Sequence, residues 1–167
     1  PKHPHLAENT SPQFLESLIK YLIGQGAKLE NIKVSGQSFD EIPTETSARK
    51  SQLLNLCQNY KISFLDLAKT NFVKKAFPPP NFGLGVEISE EVFKSDFIIN
   101  LPILKMGKIS ASENILKFLK KENYLNLKHQ RSEEEIIKNL NKVLPQYLTL
   151  AEAQSVQKPD QFVAHLG

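Results

Sequence analysis

Cysteine is almost absent from this sequence, since Cys57 is the single cysteine in 167 residues. One thiol cannot form an internal disulfide, supply the several thiolates of an iron–sulfur cluster or build a multi-cysteine zinc site. Cys57 lies in an apolar run with Leu53, Leu54 and Leu56. We therefore predict that it is a small buried residue of a helix. A role as a lone nucleophile is the alternative reading.

Long apolar runs are also absent. No stretch approaches the ~20 apolar residues that a membrane-spanning helix needs, and no signal-peptide pattern opens the chain. We therefore expect a soluble, cytoplasmic protein with no membrane partner. The sequence begins at Pro1 rather than at a methionine, and we expect a native chain that extends further.

Motifs of several enzyme and metal-binding classes are missing. Gly83-Leu84-Gly85 lacks the third glycine and the strand-to-helix context of a dinucleotide fingerprint, and no phosphate loop or Gly-x-Ser-x-Gly nucleophile elbow is present. The histidines do not form a metal-binding pattern, so we predict no metal site. They stand at His3, His5, His129 and His165.

Helical and strand patterns alternate along the chain. Ser11-Pro12 predicts a helix start, with a hydroxyl at the cap and proline at the first helical position. The first helix is predicted from Pro12 to Ile23, and a second helix, preceded by Thr44 and Thr46, is predicted to run to about Tyr60. Further helices are predicted at the short stretch 89–92, from Ser112 to about Lys121 and from Ser132 to about Leu144. Strands are predicted at residues 31–35, 62–67, 72–77, 86–88, 97–101, 147–151 and 162–166. This alternation predicts one α/β domain over residues 1–167, with a mainly parallel sheet, helices on both faces and Rossmann-like layering.

The predicted strand Phe97–Leu101 indicates which end of the predicted sheet could bind a ligand. It is apolar throughout, as a central parallel strand must be when helices cover both faces, and Pro102 is expected to stop its hydrogen-bond ladder. Ligands of such sheets bind beyond the carboxyl ends of the strands. Asn100 and Lys105 are therefore candidate binding residues, because a lysine can neutralise a phosphate or carboxylate that an asparagine amide orients.

The segment Ser95–Lys105 resembles the motif of the domain of unknown function 362 family, in which an acidic residue, an apolar strand and Asn-x-Pro-x-x-Lys follow one another. Further stretches resemble family landmarks in the same order: Thr10-Ser11-Pro12, Gly24–Ala27, Ser112–Leu116 and Leu148–Ala153. The sequence departs from the family at Met106-Gly107, where Thr-His is usual, at Glu113-Asn114, where Lys-Asn is usual, and at Glu152, where aspartate is usual.

The resemblance implies little about activity. Members of the family are largely uncharacterised, and many carry a ferredoxin-like iron–sulfur module, which implies a redox or maturation context. This sequence has no such module, so no iron–sulfur cluster is expected from the chain alone, and its cofactor is unknown. The resemblance also implies that the domain is shortened at both ends.

Four further residues are candidates for the same site. Asn114, near the start of the predicted Ser112 helix, could help its amides hold an anion, although local capping explains it equally well. Lys108 could add positive charge to the ligand site, or it could be an ordinary surface lysine. Glu113 and Glu152 are candidate acid–base groups if burial raises their pKa.

The net charge of +3 is unevenly distributed. Residues 101–131 contain seven basic and two acidic residues, whereas the remainder is slightly acidic. Phosphate backbones could bind such a segment, but Lys117, Lys120 and Lys121 are predicted to lie on the outer face of a helix. Nucleic acid is therefore not expected as a partner.

Two hypotheses follow. In the first, the domain binds a small anionic ligand at the carboxyl edge of its sheet through Asn100, Lys105, Lys108 and Asn114, and whether it catalyses a reaction is left open. In the second, it is a noncatalytic interaction domain that docks an iron–sulfur, redox or assembly protein through its basic face.

Overall fold

The structure is a computed structural model that describes residues 10–78, 85–105, 114–158 and 161–165. Its helices are α1 (Pro12–Gly24), α2 (Thr44–Lys50), α3 (Leu53–Tyr60), α4 (Glu90–Lys94), α5 (Lys121–Lys128) and α6 (Glu133–Leu140). Its strands are β1 (Lys33–Gly36), β2 (Ser63–Asp66), β3 (Phe72–Ala76), β4 (Gly85–Ser89), β5 (Ile98–Asn100), β6 (Ile103–Lys105), β7 (Tyr147–Thr149), β8 (Glu152–Lys158) and β9 (Gln161–His165). Short 3-10 helices lie at Leu29–Asn31, Leu67–Lys69 and Asn114–Phe118.

The strands form small sheets. Among the described strands, β1 pairs with β2, β5 with β7 and β6 with β8 in parallel, while β3 pairs with β4 and β8 with β9 in antiparallel orientation. The mixed α/β class is therefore confirmed. These strands are not hydrogen-bonded into the one mainly parallel sheet that the sequence predicts.

The strand predicted at Phe97–Leu101 is found as β5, but it is not central. Within the described ranges β5 pairs only with β7, and the Phe97 side chain is 65% exposed. An apolar run in the sequence cannot distinguish a strand with two neighbours from a strand with one, because both bury most of their side chains.

The pairing register is the same before and after Pro102. Ile98 pairs with Tyr147 before the proline, and Ile103 pairs with Glu152 after it. Between them, the Leu150 amide donates to the Asn100 carbonyl and the Glu152 amide donates to the Pro102 carbonyl, both at 2.9 Å. The β5–β7 ladder ends before Pro102, as expected of a residue without an amide donor, but the Pro102 carbonyl still accepts and the β6–β8 ladder begins directly after it.

Local sequence signals account for α1. The Ser11 hydroxyl caps the helix by accepting a hydrogen bond from the Phe14 amide at 3.2 Å, and Pro12 occupies the first helical position. At the other end, Gly26 has φ +93°, and the Ala27 amide returns to the Leu22 carbonyl at 2.9 Å. Glycine adopts this left-handed conformation without steric cost, so the predicted end of the helix is confirmed.

The single helix predicted up to Tyr60 is instead two helices. Gln52 has φ 63° and ψ 2°, which ends α2 and redirects the chain into α3. Such a left-handed conformation is normally taken by glycine or asparagine, so the sequence at Gln52 gives no sign of the break.

The helix predicted from Ser112 to about Lys121 is wrong over residues 114–120, while Ser112 and Glu113 lie outside the described residues. Residues 114–118 form a 3-10 helix, Leu119 makes an antiparallel bridge with Ile88 of β4, and an α-helix begins only at Lys121. The apolar side chains that suggest a helix face are buried in the core, so packing against β4 rather than helical periodicity sets this conformation.

The described residues form two hydrophobic clusters in the core. The larger cluster comprises Phe77, Val86, Ile88, Val92, Ile115, Leu116, Leu119, Tyr124, Leu127, Ile136, Ile137 and Leu140. The smaller cluster comprises Leu15, Ile19, Leu56, Cys57 and Ile62. Ile98 packs against the larger cluster and Leu101 against the smaller one, so the chain at the end of β5 connects the two.

Cys57 is 1% exposed in the smaller cluster, which confirms the prediction of a small buried residue. Burial raises the pKa of its thiol above the ordinary value, because a thiolate is poorly solvated among apolar side chains. A raised pKa lowers the thiolate fraction at neutral pH and argues against a nucleophilic role.

Candidate functional site

Asn100 ends β5 and is 5% exposed. Its side-chain amide donates to the Thr149 hydroxyl at 3.3 Å, and Thr149 is its register partner at the end of β7. Two polar side chains therefore stand together at the carboxyl end of a parallel strand pair. This is the position at which α/β sheets bind their ligands.

The Leu101 carbonyl brings two further polar side chains to the same place. It accepts hydrogen bonds from the Thr10 hydroxyl at 2.6 Å and from the Asn114 side-chain amide at 3.4 Å. Asn114 begins a five-residue 3-10 helix rather than the predicted α-helix. The structure nevertheless places the Asn114 side chain on the carbonyl of Leu101, the residue that follows Asn100.

Glu152, the first residue of β8, binds the start of α1. Its carboxylate, in a residue that is 7% exposed, accepts from the Ser11 amide at 2.8 Å and from the Ser11 hydroxyl at 2.5 Å. A carboxylate at this end of a helix also interacts favourably with the helix dipole. We call this arrangement the Ser11–Glu152 clasp. It gives Glu152 a structural role, while its acid–base role stays a prediction.

The remaining predicted residues are less fully described. Lys105 is the last residue of β6 and pairs with Gln157 in the ladder with β8. Lys108 and Glu113 lie outside the described residues. The structure thus gathers Asn100, Asn114 and Glu152 around the segment 100–103, and the positions of the other three side chains stay predictions.

Thr10, Ser11 and Thr149 were not predicted as members of this site. Ser11 was identified only as a helix cap, because its partner Glu152 lies 141 residues away in sequence. The register of β5 with β7 would have identified Thr149, but strand register is not readable from a single sequence. Contacts between residues so far apart in sequence produce no periodic pattern along the chain.

The lysines predicted to form a solvated helix face instead have separate partners. The Lys117 ammonium lies 4.2 Å from the centre of the Phe39 ring, and Lys120 pairs with Glu87 at 3.5 Å. The Lys121 ammonium donates to the Asp40 carbonyl at 2.9 Å. The outer helical face on which the basic-surface hypothesis was built is therefore not formed, because Lys117 and Lys120 precede α5.

The described residues contain neither a metal-binding cluster nor a membrane-spanning helix. In residues 10–78, 85–105, 114–158 and 161–165, no group of three or more His, Cys, Asp or Glu side chains could hold a metal ion. Across the same ranges, no helix has the length and apolar character required to cross a bilayer.

Comparison with known proteins identifies the family. No curated protein and no solved structure matches the chain. The model of the family described as "Domain of unknown function (DUF362)" matches residues 1–158 and therefore nearly the whole sequence. This match confirms the resemblance based on the Ser95–Lys105 motif, and the chain accordingly belongs to the domain of unknown function 362 family.

Proposed function

We propose that this domain binds a small anionic ligand where β5 and β6 meet, with Asn100, Lys105, Lys108 and Asn114 as its binding residues. The observation that carries the proposal is the position of Asn100 at the carboxyl end of the β5–β7 pair, together with the hydrogen bond from the Asn114 amide to the carbonyl of the next residue, Leu101. Both asparagines are also candidate binding residues on the sequence alone.

The chemistry of the described groups supports an anion held mainly by neutral donors. Asparagine amides donate N–H groups without adding charge, and the lysine of the family motif supplies the positive charge. The Glu152 carboxylate is already satisfied by Ser11, so it does not compete for these donors. Its negative charge favours a ligand with one acidic group over a highly charged one.

Two finer elements belong to the same proposal. A redox or maturation context rests on the family resemblance. Rossmann-like layering is supported by the parallel pairs β1–β2, β5–β7 and β6–β8. Both go beyond the mixed α/β class that the described strands establish.

A thermal-shift comparison tests the ligand site. Inorganic phosphate, a nucleoside monophosphate and acetate would each be added at constant ionic strength to the unaltered protein, Lys105→Ala, Asn114→Ala and Lys74→Ala. Lys74 is an exposed lysine of β3 and serves as the matched control. A ligand at about 100 times its Kd stabilises the folded state by about 2.7 kcal/mol.

We expect at least one anion to raise the melting temperature of the unaltered protein and of Lys74→Ala, with a much smaller effect on Lys105→Ala and Asn114→Ala. Equal stabilisation of all four proteins would show that the anion binds elsewhere. No stabilisation of the unaltered protein by any of the three anions would contradict the proposal.

A further inference from the structure

A shallow groove separates α1 from α3 on a surface that the proposed anion site does not use. Its volume is about 200 Å³. Helix α1 contributes Pro12, Gln13 and Glu16, and the chain from the left-handed turn into α3 contributes Gln52, Asn55, Leu56 and Asn59. The lining is therefore mostly polar, with Leu56 as an apolar element.

Four side-chain amides dominate this lining, and they have hydrogen-bonding capacity to spare. In the described part of the chain, none of Gln13, Gln52, Asn55 and Asn59 forms a side-chain hydrogen bond with another residue. Asn55 and Asn59 are four residues apart and so share one face of α3, while Gln52 lines the groove from the turn before the helix. Each amide presents donors and an acceptor together.

Glu16 provides a fixed acceptor at the edge of the groove. Its carboxylate lies 2.9 Å from the Lys20 ammonium and accepts a hydrogen bond from the Tyr60 hydroxyl at 2.9 Å. The hydrogen bond from Lys20 and then that from Tyr60 lower the pKa of Glu16, so the group stays ionised at neutral pH. Lys20 itself does not line the groove.

The backbone at Gln52 adds a second observation at the same place. This residue is held at φ 63°, a left-handed conformation that is unfavourable for a residue with a side chain. Strained backbone is concentrated at ligand-binding positions. Here the strained residue places an amide, where glycine would place none, in the lining of the groove.

From these features we propose that the groove binds a neutral, hydroxyl-rich ligand the size of one sugar ring. Hydroxyl groups both donate and accept, which matches the paired functions of the amides and the acceptor at Glu16. Leu56 offers an apolar contact to the C–H face of such a ring. None of the described residues that line the groove is a cation, so its described lining differs in chemistry from the proposed anion site.

Titration followed by NMR tests this proposal. Side-chain amide signals of the ¹⁵N-labelled protein would be followed while methyl α-glucopyranoside, methyl α-mannopyranoside or methyl α-galactopyranoside is added. We expect saturable shifts of the Gln52, Asn55 and Asn59 amides with at least one of the three glycosides. Loss of one ligand hydrogen bond in Asn55→Ala or Asn59→Ala is expected to weaken binding about tenfold.

Gln58→Ala is the matched control, because Gln58 is an exposed amide of α3 that does not line the groove. Its affinity for the glycoside is expected to equal that of the unaltered protein. Absence of saturable shifts with all three glycosides, or unchanged affinity in both asparagine variants, would overturn the proposal. Phosphate is expected to leave the NMR signals of the groove amides unshifted. A wrong proposal for the anion site would therefore appear in the thermal-shift measurement, and a wrong proposal for the groove would appear in the amide signals.

Discussion

At the scale of single residues, Ser11 forms three hydrogen bonds in the described site through its hydroxyl and its backbone amide. Its hydroxyl accepts from the Phe14 amide and donates to the Glu152 carboxylate, while its own amide donates to the same carboxylate. One serine therefore caps α1 and attaches that helix to β8. Glu152 in turn is buried and depends on these two donors to compensate for its lost hydration.

Removing either member of the Ser11–Glu152 clasp is expected to destabilise the fold. Ser11→Ala loses a helix cap and should lower the free energy of unfolding by about 1–2 kcal/mol. Glu152→Ala leaves the Ser11 donors unpaired and should cost about 2–3 kcal/mol. Urea denaturation of both variants and of the double variant measures these costs. The double variant should cost less than the sum, because both changes remove the same contact.

Ser17→Ala is the matched control for this prediction, since the exposed Ser17 hydroxyl bonds only the Gln13 carbonyl within α1. Its effect is expected to stay within about 0.5 kcal/mol. Strict additivity of Ser11→Ala and Glu152→Ala would show that the two side chains do not interact in solution.

Tyr124 gives a second residue-scale prediction. Burial, followed by its hydrogen bond to Glu133, raises the pKa of Tyr124 to about 12. The folded protein therefore retains this proton above pH 10 while the unfolded chain loses it, so stability falls as the pH rises from about 10 to 12. The pKa values of Tyr60 and Tyr147 are also raised, so absorbance titration should show several late-titrating tyrosines, of which the component near pH 12 disappears in Tyr124→Phe. A Tyr124→Phe curve identical in shape to that of the unaltered protein would contradict this assignment.

At the scale of secondary-structure elements, left-handed residues determine where α3 begins and ends. Gln52 precedes the helix with φ 63°, and Lys61 follows it with φ 54°. Neither is glycine, so both positions carry a conformational cost. The chain can bear this cost because Leu56 and Cys57 of α3 are buried in the smaller cluster.

Glycine substitutions should raise the free energy of unfolding at two positions of this region and lower it at a third. Gln52→Gly and Lys61→Gly are expected to raise the free energy of unfolding by about 0.5–1 kcal/mol each, because strain is relieved. Gln58→Gly, inside α3, should lower it by a similar amount through the entropy of the unfolded chain. Thermal or urea denaturation of the three variants measures the differences. Loss of stability in all three would show that the left-handed positions are not strained.

The elements also show which parts of the fold the sequence could predict. Helices α1 and α6 begin at the capping serines Ser11 and Ser132. These local signals predict both helix starts, and the structure confirms them. The break at Gln52 has no local signal, because no glycine or proline marks it. The stretch 114–119 was misassigned since burial against β4, and not its own periodicity, decides its conformation.

The candidate site likewise contains residues that a local sequence signal predicts and residues that only tertiary contacts bring there. Asn100 and Asn114 could be singled out from a strand end and from the family motif, and the structure brings them together. The contribution of Thr10, Ser11 and Thr149 depends on chain segments distant in sequence meeting in space. A single sequence contains no pattern that specifies those contacts.

At the scale of the whole molecule, two hydrophobic clusters share the end of β5. Ile98 packs on the larger cluster and Leu101 on the smaller one, with two residues between them. The clusters are therefore connected by backbone that is itself hydrogen-bonded to Thr10, Leu150 and Glu152. Such a connection favours unfolding of both clusters in one transition.

Cys57 and Tyr124 allow this cooperativity to be tested, because one lies in each cluster. Burial raises the pKa of the Cys57 thiol, so labelling by a thiol reagent at neutral pH should require unfolding. We expect the urea dependence of Cys57 labelling to coincide with the loss of the Tyr124 fluorescence contribution, obtained by difference from Tyr124→Phe. Labelling at urea concentrations where Tyr124 is still in its folded environment would show that the smaller cluster opens independently.

The constant register across Pro102 restricts how chain length can vary in this family. Two residues, Leu101 and Pro102, separate β5 from β6, and two residues, Leu150 and Ala151, separate β7 from β8. A strand presents alternate side chains to opposite faces, so one extra residue in only one connection would turn Glu152 away from Ser11. Insertions and deletions in these two connections are therefore expected to occur together and to be of equal length, which gives a rule for placing gaps when relatives are aligned.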